Sequence, residues 1–183
     1  MKSLGACSAF LAFLSIAGCT ASGPEGDAAR RSEQAQARVP GAINCDGLDS
    51  AAVKVEADAS VSRARAAAPV GPPLHVRLHG LRTVTPALAP GRKEKSAETF
   101  AGLVPFRVET KGNYSVLVAS LAWADLGEAN PSLLIEPQSF KWVTVCGKQF
   151  KSGLYALEPG KAYVVQLWDS PDRELTLMIR RLP

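Results

Sequence analysis

The tightest constraint on this chain is an alternation of apolar and polar residues at period two, repeated in short runs from Leu74 onward. Successive side chains of an extended backbone point to opposite faces, so each run makes one face for a core and one for solvent. Val104, Phe106 and Val108 alternate in this way. Tyr114, Val116 and Val118 repeat the pattern after Lys111-Gly112-Asn113, which predicts a hairpin about that turn. Val76 and Leu78 alternate with His75, Arg77 and His79, and Leu81 to Val84 continues the extended pattern. Leu133 and Ile135 follow the Asn130-Pro131 break, and Phe140, Trp142, Thr144 and Cys146 share one face, which predicts an inward Cys146. Further runs lie at 154–157, 163–167 and 175–179, and no long segment carries a helical period. Short strands divided by Gly and Pro predict an all-β chain of about seven to eight strands: an antiparallel β-sandwich, immunoglobulin-like or jelly-roll-like, or else a barrel.

The residues upstream read differently. From Thr20 to about Gly41 the chain is Ala, Gly, Ser, Glu, Gln and Arg with almost no large apolar residues. Such a segment cannot bury enough surface to offset its ordering entropy, and it reads as a disordered tether. A turn-rich stretch, 40–47, then presents Cys45, and Val53 to Val61 alternates weakly, as an edge strand would. Ala66 to Pro73 is a proline-rich crossing. The expected organisation is a leader at 1–18, a tether at 19–42, an extended segment with Cys45 and a candidate edge strand at 43–72, and the sandwich at 73–183.

The leader has one charge, Lys2, an apolar run from Leu4 to Ile16, and then Ala17-Gly18-Cys19. A bilayer needs about twenty apolar residues, so this run is too short to span one. The order of charge, apolar run and small residues is that of a secretory signal peptide. Ile16-Ala17-Gly18-Cys19 resembles the lipobox of bacterial lipoproteins. The resemblance implies cleavage before Cys19, acylation of that thiol, and a lipid bilayer as the chain's first partner; two acyl chains hold a protein there stably. Thr20, where Asp would retain a lipoprotein in the inner membrane, implies an outer-membrane address facing the periplasm. Of the four cysteines, Cys7 leaves with the leader and Cys19 is acylated. Cys45 and Cys146 remain in a disulfide-permissive compartment and are predicted to pair.

Two further resemblances bear on the sandwich. Leu157-Glu-Pro-Gly-Lys-Ala-Tyr163 resembles the E–F corner of immunoglobulin-like domains, which implies a Tyr163 hydroxyl bonded back to the backbone. From Val104 to the end, Gly112-Asn113-Tyr114, Trp123-Ala124-Asp125 and Pro159-Gly160 resemble landmarks of exported domains of the prepeptidase C-terminal kind. That likeness implies a non-catalytic companion and transfers no site residues.

Chemistry is sparse. The formal net charge is +4, with Lys and Arg scattered rather than striped among aromatics, so no nucleic-acid partner is expected. There is no Gly-x-Ser-x-Gly, no Ser-x-x-Lys and no Gly-rich phosphate loop, and no cofactor is expected. His75 and His79, the two histidines, would share a strand face as weak metal candidates. With Arg77 between them they fall short of a zinc ligand set, so no metal is expected. They supply the alternative reading, a small envelope enzyme or metal-handling protein, to which Asp125, Glu128 and Glu136 would add carboxylates. The aromatics Trp123, Trp142, Trp168, Tyr114 and Tyr155 suit a stacking platform for sugars or peptides. Trp142 is expected in the core beside Cys146. Trp168, opposite the Tyr163–Leu167 face, is expected to be exposed and to lead the ligand contacts with Trp123 and Asp125. The function expected is a non-catalytic binding or accessory module in the cell envelope, with an envelope protein or polysaccharide as partner.

Overall fold

The fold is taken from a computed structural model, which describes Cys45 and residues 52–63, 67–90, 96, 98–130 and 132–183. The expected leader at 1–18 and tether at 19–42 lie outside the described residues. The strands are β1 (Val53–Glu56), β2 (Pro73–Arg77), β3 (His79–Gly80), β4 (Phe100–Arg107), β5 (Gly112–Ala119), β6 (Trp123–Ala129), β7 (Ser132–Leu134), β8 (Ser139–Val145), β9 (Lys148–Leu157), β10 (Ala162–Ser170) and β11 (Glu174–Arg181). They form two sheets in the orders β1-β2-β11-β5-β9-β8 and β3-β4-β10-β6-β7. Every pairing is antiparallel except β1 with β2. The chain is thus an all-β sandwich, with more strands than the alternation alone suggested because β1, β3 and β7 are very short. Among the described residues no helix is long and apolar enough to cross a membrane.

The alternating residues meet between the sheets. Tyr114, Val116 and Val118 of β5 and Leu175, Leu177 and Ile179 of β11 face Val104 and Phe106 of β4 and Tyr163, Val165 and Leu167 of β10 in one core. Each such side chain, fully buried, contributes ~1.5–3 kcal/mol by leaving water. The rings of Phe106 and Tyr163 pack with centroids 5.5 Å apart.

The Lys111-Gly112-Asn113 turn does not make the expected hairpin. β4 pairs with β3 and β10, while β5 pairs with β11 and β9, so the turn carries the chain from one sheet to the other. Alternation fixes which residues face inward but not which strand lies alongside. The link is held as an arch by Tyr114, whose hydroxyl donates to the carbonyl of Thr110 at 2.8 Å. The β9–β10 link crosses in the same manner. There the Tyr163 hydroxyl donates to the Glu158 carbonyl (3.0 Å) and accepts from the Glu158 N–H (2.9 Å), the backbone bond that the E–F resemblance implied.

Two aromatic expectations are corrected by what covers each sheet. Trp168 does lie opposite the Tyr163–Leu167 face, but it is only 4% exposed. The outer face of the five-stranded sheet is roofed by the chain around Leu81 and Val84, which packs with Leu103, Val164 and Trp168. Gln166, fully buried, fastens this roof: its Oε1 accepts from the N–H groups of Ala87 and Leu88, and its Nε2 donates to the Leu88 carbonyl. Trp142 is not in the core beside the disulfide. It is 52% exposed, while Val143 and Val145 turn to the other side of β8 and pack with Leu117, Phe150 and Met178.

Cys146 sits in the two-residue turn between β8 and β9, with φ of 52°, followed by Gly147 at 75°. Paired left-handed residues are what a tight type I′ hairpin demands. Cys146 therefore packs against the outer Val143–Phe150 cluster rather than inward. It forms a disulfide with Cys45, Cα to Cα 5.3 Å, across 101 residues of sequence. In the chain-entropy account a loop of that length stabilises by ~4–5 kcal/mol. A Cys45→Ser, Cys146→Ser variant is expected to lose about that amount in urea unfolding, and dithiothreitol should shift the wild-type midpoint and leave the variant unmoved.

Candidate ligand-binding cleft

The two sheets do not match at one flank. β8 ends the six-stranded sheet, and the chain reaches it directly from β7, which ends the other sheet and is only three residues long. The residues of β8 that face between the sheets are Phe140 and Trp142, set against Gly153 and Lys151 of β9 by the ladder register. With so short a strand opposite, no second layer closes over them. They are 57% and 52% exposed.

The result is an open cleft of about 550 Å³. Its β8–β9 wall is Phe140, Trp142, Lys151 and Tyr155, its facing wall is Trp123 to Leu126 with Leu134, and Ile135-Glu136-Pro137 bridges the two. Ile135 is pinned through its N–H to the carbonyl of Leu126 (2.8 Å). Other hollows are smaller, about 280 to 370 Å³, and the one beside the β9–β10 link is walled by ion pairs, Lys111 with Glu158 and Lys161 with Glu128; the aromatic cleft is the candidate site.

Three of the four rings have a specific neighbour. The Trp123 indole N–H donates to Asp125 Oδ1 at 2.9 Å. Lys151 Nζ lies 5.5 Å from the centroid of the Trp142 ring and donates to the carbonyls of Leu121 (3.0 Å) and Ala122 (2.6 Å). It ties β9 to the β5–β6 link while covering one aromatic face. Tyr155 depends on an absence. A Cβ on Gly153 would stand 2.6 Å from the Tyr155 ring and 2.7 Å from its oxygen, so only glycine two residues back lets the ring lie across β9. Burial pushes the Tyr155 hydroxyl up to about 12, with the negative charges of Asp125 and Glu136 adding to the shift.

No protein-family model matches this chain, and no curated protein matches it.

Of the residues singled out from sequence, Trp123, Asp125, Glu136, Trp142 and Tyr155 line the cleft, whereas Trp168, Tyr114 and Glu128 do not. Phe140, Lys151 and the exposure of Trp142 escaped the sequence reading. Gly153 in a strand was the available sign, since such a glycine marks a close approach of another group. The two histidines do not share a face: His75 is on β2 in one sheet and His79 on β3 in the other. His75 Nε2 stands 3.4 Å from Glu174 Oε2, and His79 Nε2 donates to the Ala57 carbonyl at 2.7 Å. Among the described residues no three His, Cys, Asp or Glu side chains cluster as metal ligands. The alternative built on a shared histidine face therefore loses its geometry.

The raised Tyr155 value has a stability consequence. Unfolded tyrosine loses its proton near pH 10, whereas the folded chain holds this one to about 12. The folded state therefore binds more protons between those values, and stability falls as pH rises through that window. Urea midpoints measured from pH 9 to 12 are expected to drop, and Tyr155→Phe should flatten the drop. Tyrosinate absorbance should lose one late-titrating component in the same variant.

Proposed function

We propose that this chain is an exported, lipid-anchored protein of the bacterial envelope, at the outer membrane facing the periplasm, whose sandwich is a non-catalytic binding module. The cleft between β6–β7 and β8–β9 is its ligand site. The observation that carries the reading is the open aromatic wall: Phe140 and Trp142 more than half exposed, with Trp123 36% exposed across from them. Small-ligand sites are concave, of about 300–1,000 Å³, and combine apolar walls with a few placed polar groups. The cleft has that size and make-up, with Asp125, Glu136, Lys151 and Tyr155 as the polar groups.

The anchor is argued from the leader and from Ile16-Ala17-Gly18-Cys19. The Cys45–Cys146 disulfide supports an oxidising compartment.

Each half has its own test. Cells fed labelled palmitate are expected to label the wild-type chain, and Cys19→Ser should carry no label and leave the membrane fraction; equal labelling would remove the anchor. Crosslinked envelopes should yield a ligand on the wild-type sandwich that a Phe140→Ala, Trp142→Ala variant fails to retain. Equal recovery on both would remove the cleft.

A further inference from the structure

The polar groups of the cleft are unequal in sign. Two carboxylates, Asp125 and Glu136, line it against one ammonium, Lys151. That ammonium is already engaged by two backbone carbonyls and by the face of Trp142. Trp123, Phe140 and Tyr155 line the cleft with the two carboxylates, of which Asp125 accepts the Trp123 indole N–H and Glu136 is exposed. A cation over an aromatic face gains from the ring quadrupole, most of all over Trp and with its water removed. Nearby carboxylates add Coulomb attraction, stronger in a partly buried hollow than in water. Lys151 over Trp142 is an intramolecular instance of that contact within the same cleft.

We infer that the cleft takes a small organic cation, an ammonium group on an apolar body, with the charge between the aromatic rings and the Asp125 and Glu136 carboxylates. The inference rests on the cleft being a ligand site and adds the ligand's charge. A neutral sugar would use the same rings, but it gains nothing from the excess of carboxylate. An anion would meet that excess directly.

A pair of probes of nearly equal shape separates these outcomes: choline, and 3,3-dimethylbutan-1-ol, its uncharged isostere. Binding is followed by the tryptophan indole N–H resonances of the oxidised chain with its leader removed. Choline is expected to bind about tenfold tighter than the isostere, the scale of a partly desolvated cation–aromatic contact. Glu136 is exposed, so Glu136→Gln should fold normally and weaken choline several-fold. Lys151→Met removes a like charge and uncovers Trp142, and should strengthen choline, with thermal unfolding checking that the variant is folded. Equal binding of choline and its isostere would overturn the inference, as would choline that moves no indole resonance. A neutral oligosaccharide such as cellohexaose moving the same resonances, with choline silent, would overturn the cationic ligand and leave the binding module standing. Loss of the module itself is read separately, from equal envelope recovery by the wild type and the Phe140→Ala, Trp142→Ala variant.

Discussion

The crossing from β9 to β10 is the joint on which both sheets depend. β10 lies at the centre of one sheet and β9 forms the inner wall of the cleft in the other. The only covalent path between them is the short Glu158–Lys161 link. In so short a crossing the backbone groups lose their ladder partners, and an N–H or carbonyl left unpaired where it is buried is costly. The Tyr163 hydroxyl meets both needs of Glu158, as donor to its carbonyl and acceptor from its N–H. Its ring meanwhile packs on Phe106 in the core. One side chain thus fixes the corner and fills the space beneath it. Tyr114 repeats half of that arrangement at the β4–β5 crossing.

Weaving the chain between sheets has a consequence at the flank. Each crossing commits the next strand to the opposite layer, and the layers end unequal, six strands against five. The surplus strand is β8. Its fellow at that flank, β7, is too short to cover it, so the inner face of β8 becomes one wall of an open cleft. The Ile135-Glu136-Pro137 bridge is itself one of these crossings, and it brings a carboxylate to the rim. The site therefore follows from topology as much as from any motif.

That also marks how far the sequence could be read. Period-two alternation made the sandwich legible, and Tyr163 was legible because its Pro-Gly corner is local. Strand partners were not. The Lys111-Gly112-Asn113 segment looks the same whether it folds back beside β4 or crosses to the other sheet, and only the whole set of pairings decides. Exposure was not legible for the same reason. Trp168 and Trp142 were each placed on the correct side of an alternating strand, yet their burial came out opposite to expectation. The roof over Trp168 comes from Leu81 to Leu88, some eighty residues away in sequence. The missing cover over Trp142 comes from the brevity of β7.

β8 is also apolar on both sides. Val143 and Val145 are buried in the outer cluster beside the disulfide turn, while Phe140 and Trp142 face the cleft. A strand of this kind cannot be corrected by slipping one residue, because a slip exchanges its faces and exposes the valines instead. The tight Cys146-Gly147 turn opposes the slip further, since its length sets the register with β9. The two rings are therefore held partly in water by a register that the rest of the hairpin requires. Full burial of such side chains is worth ~1.5–3 kcal/mol each, a substantial share of the ~5–15 kcal/mol that usually keeps a domain folded. Under the proposed function, a ligand seated in the cleft would cover the two rings.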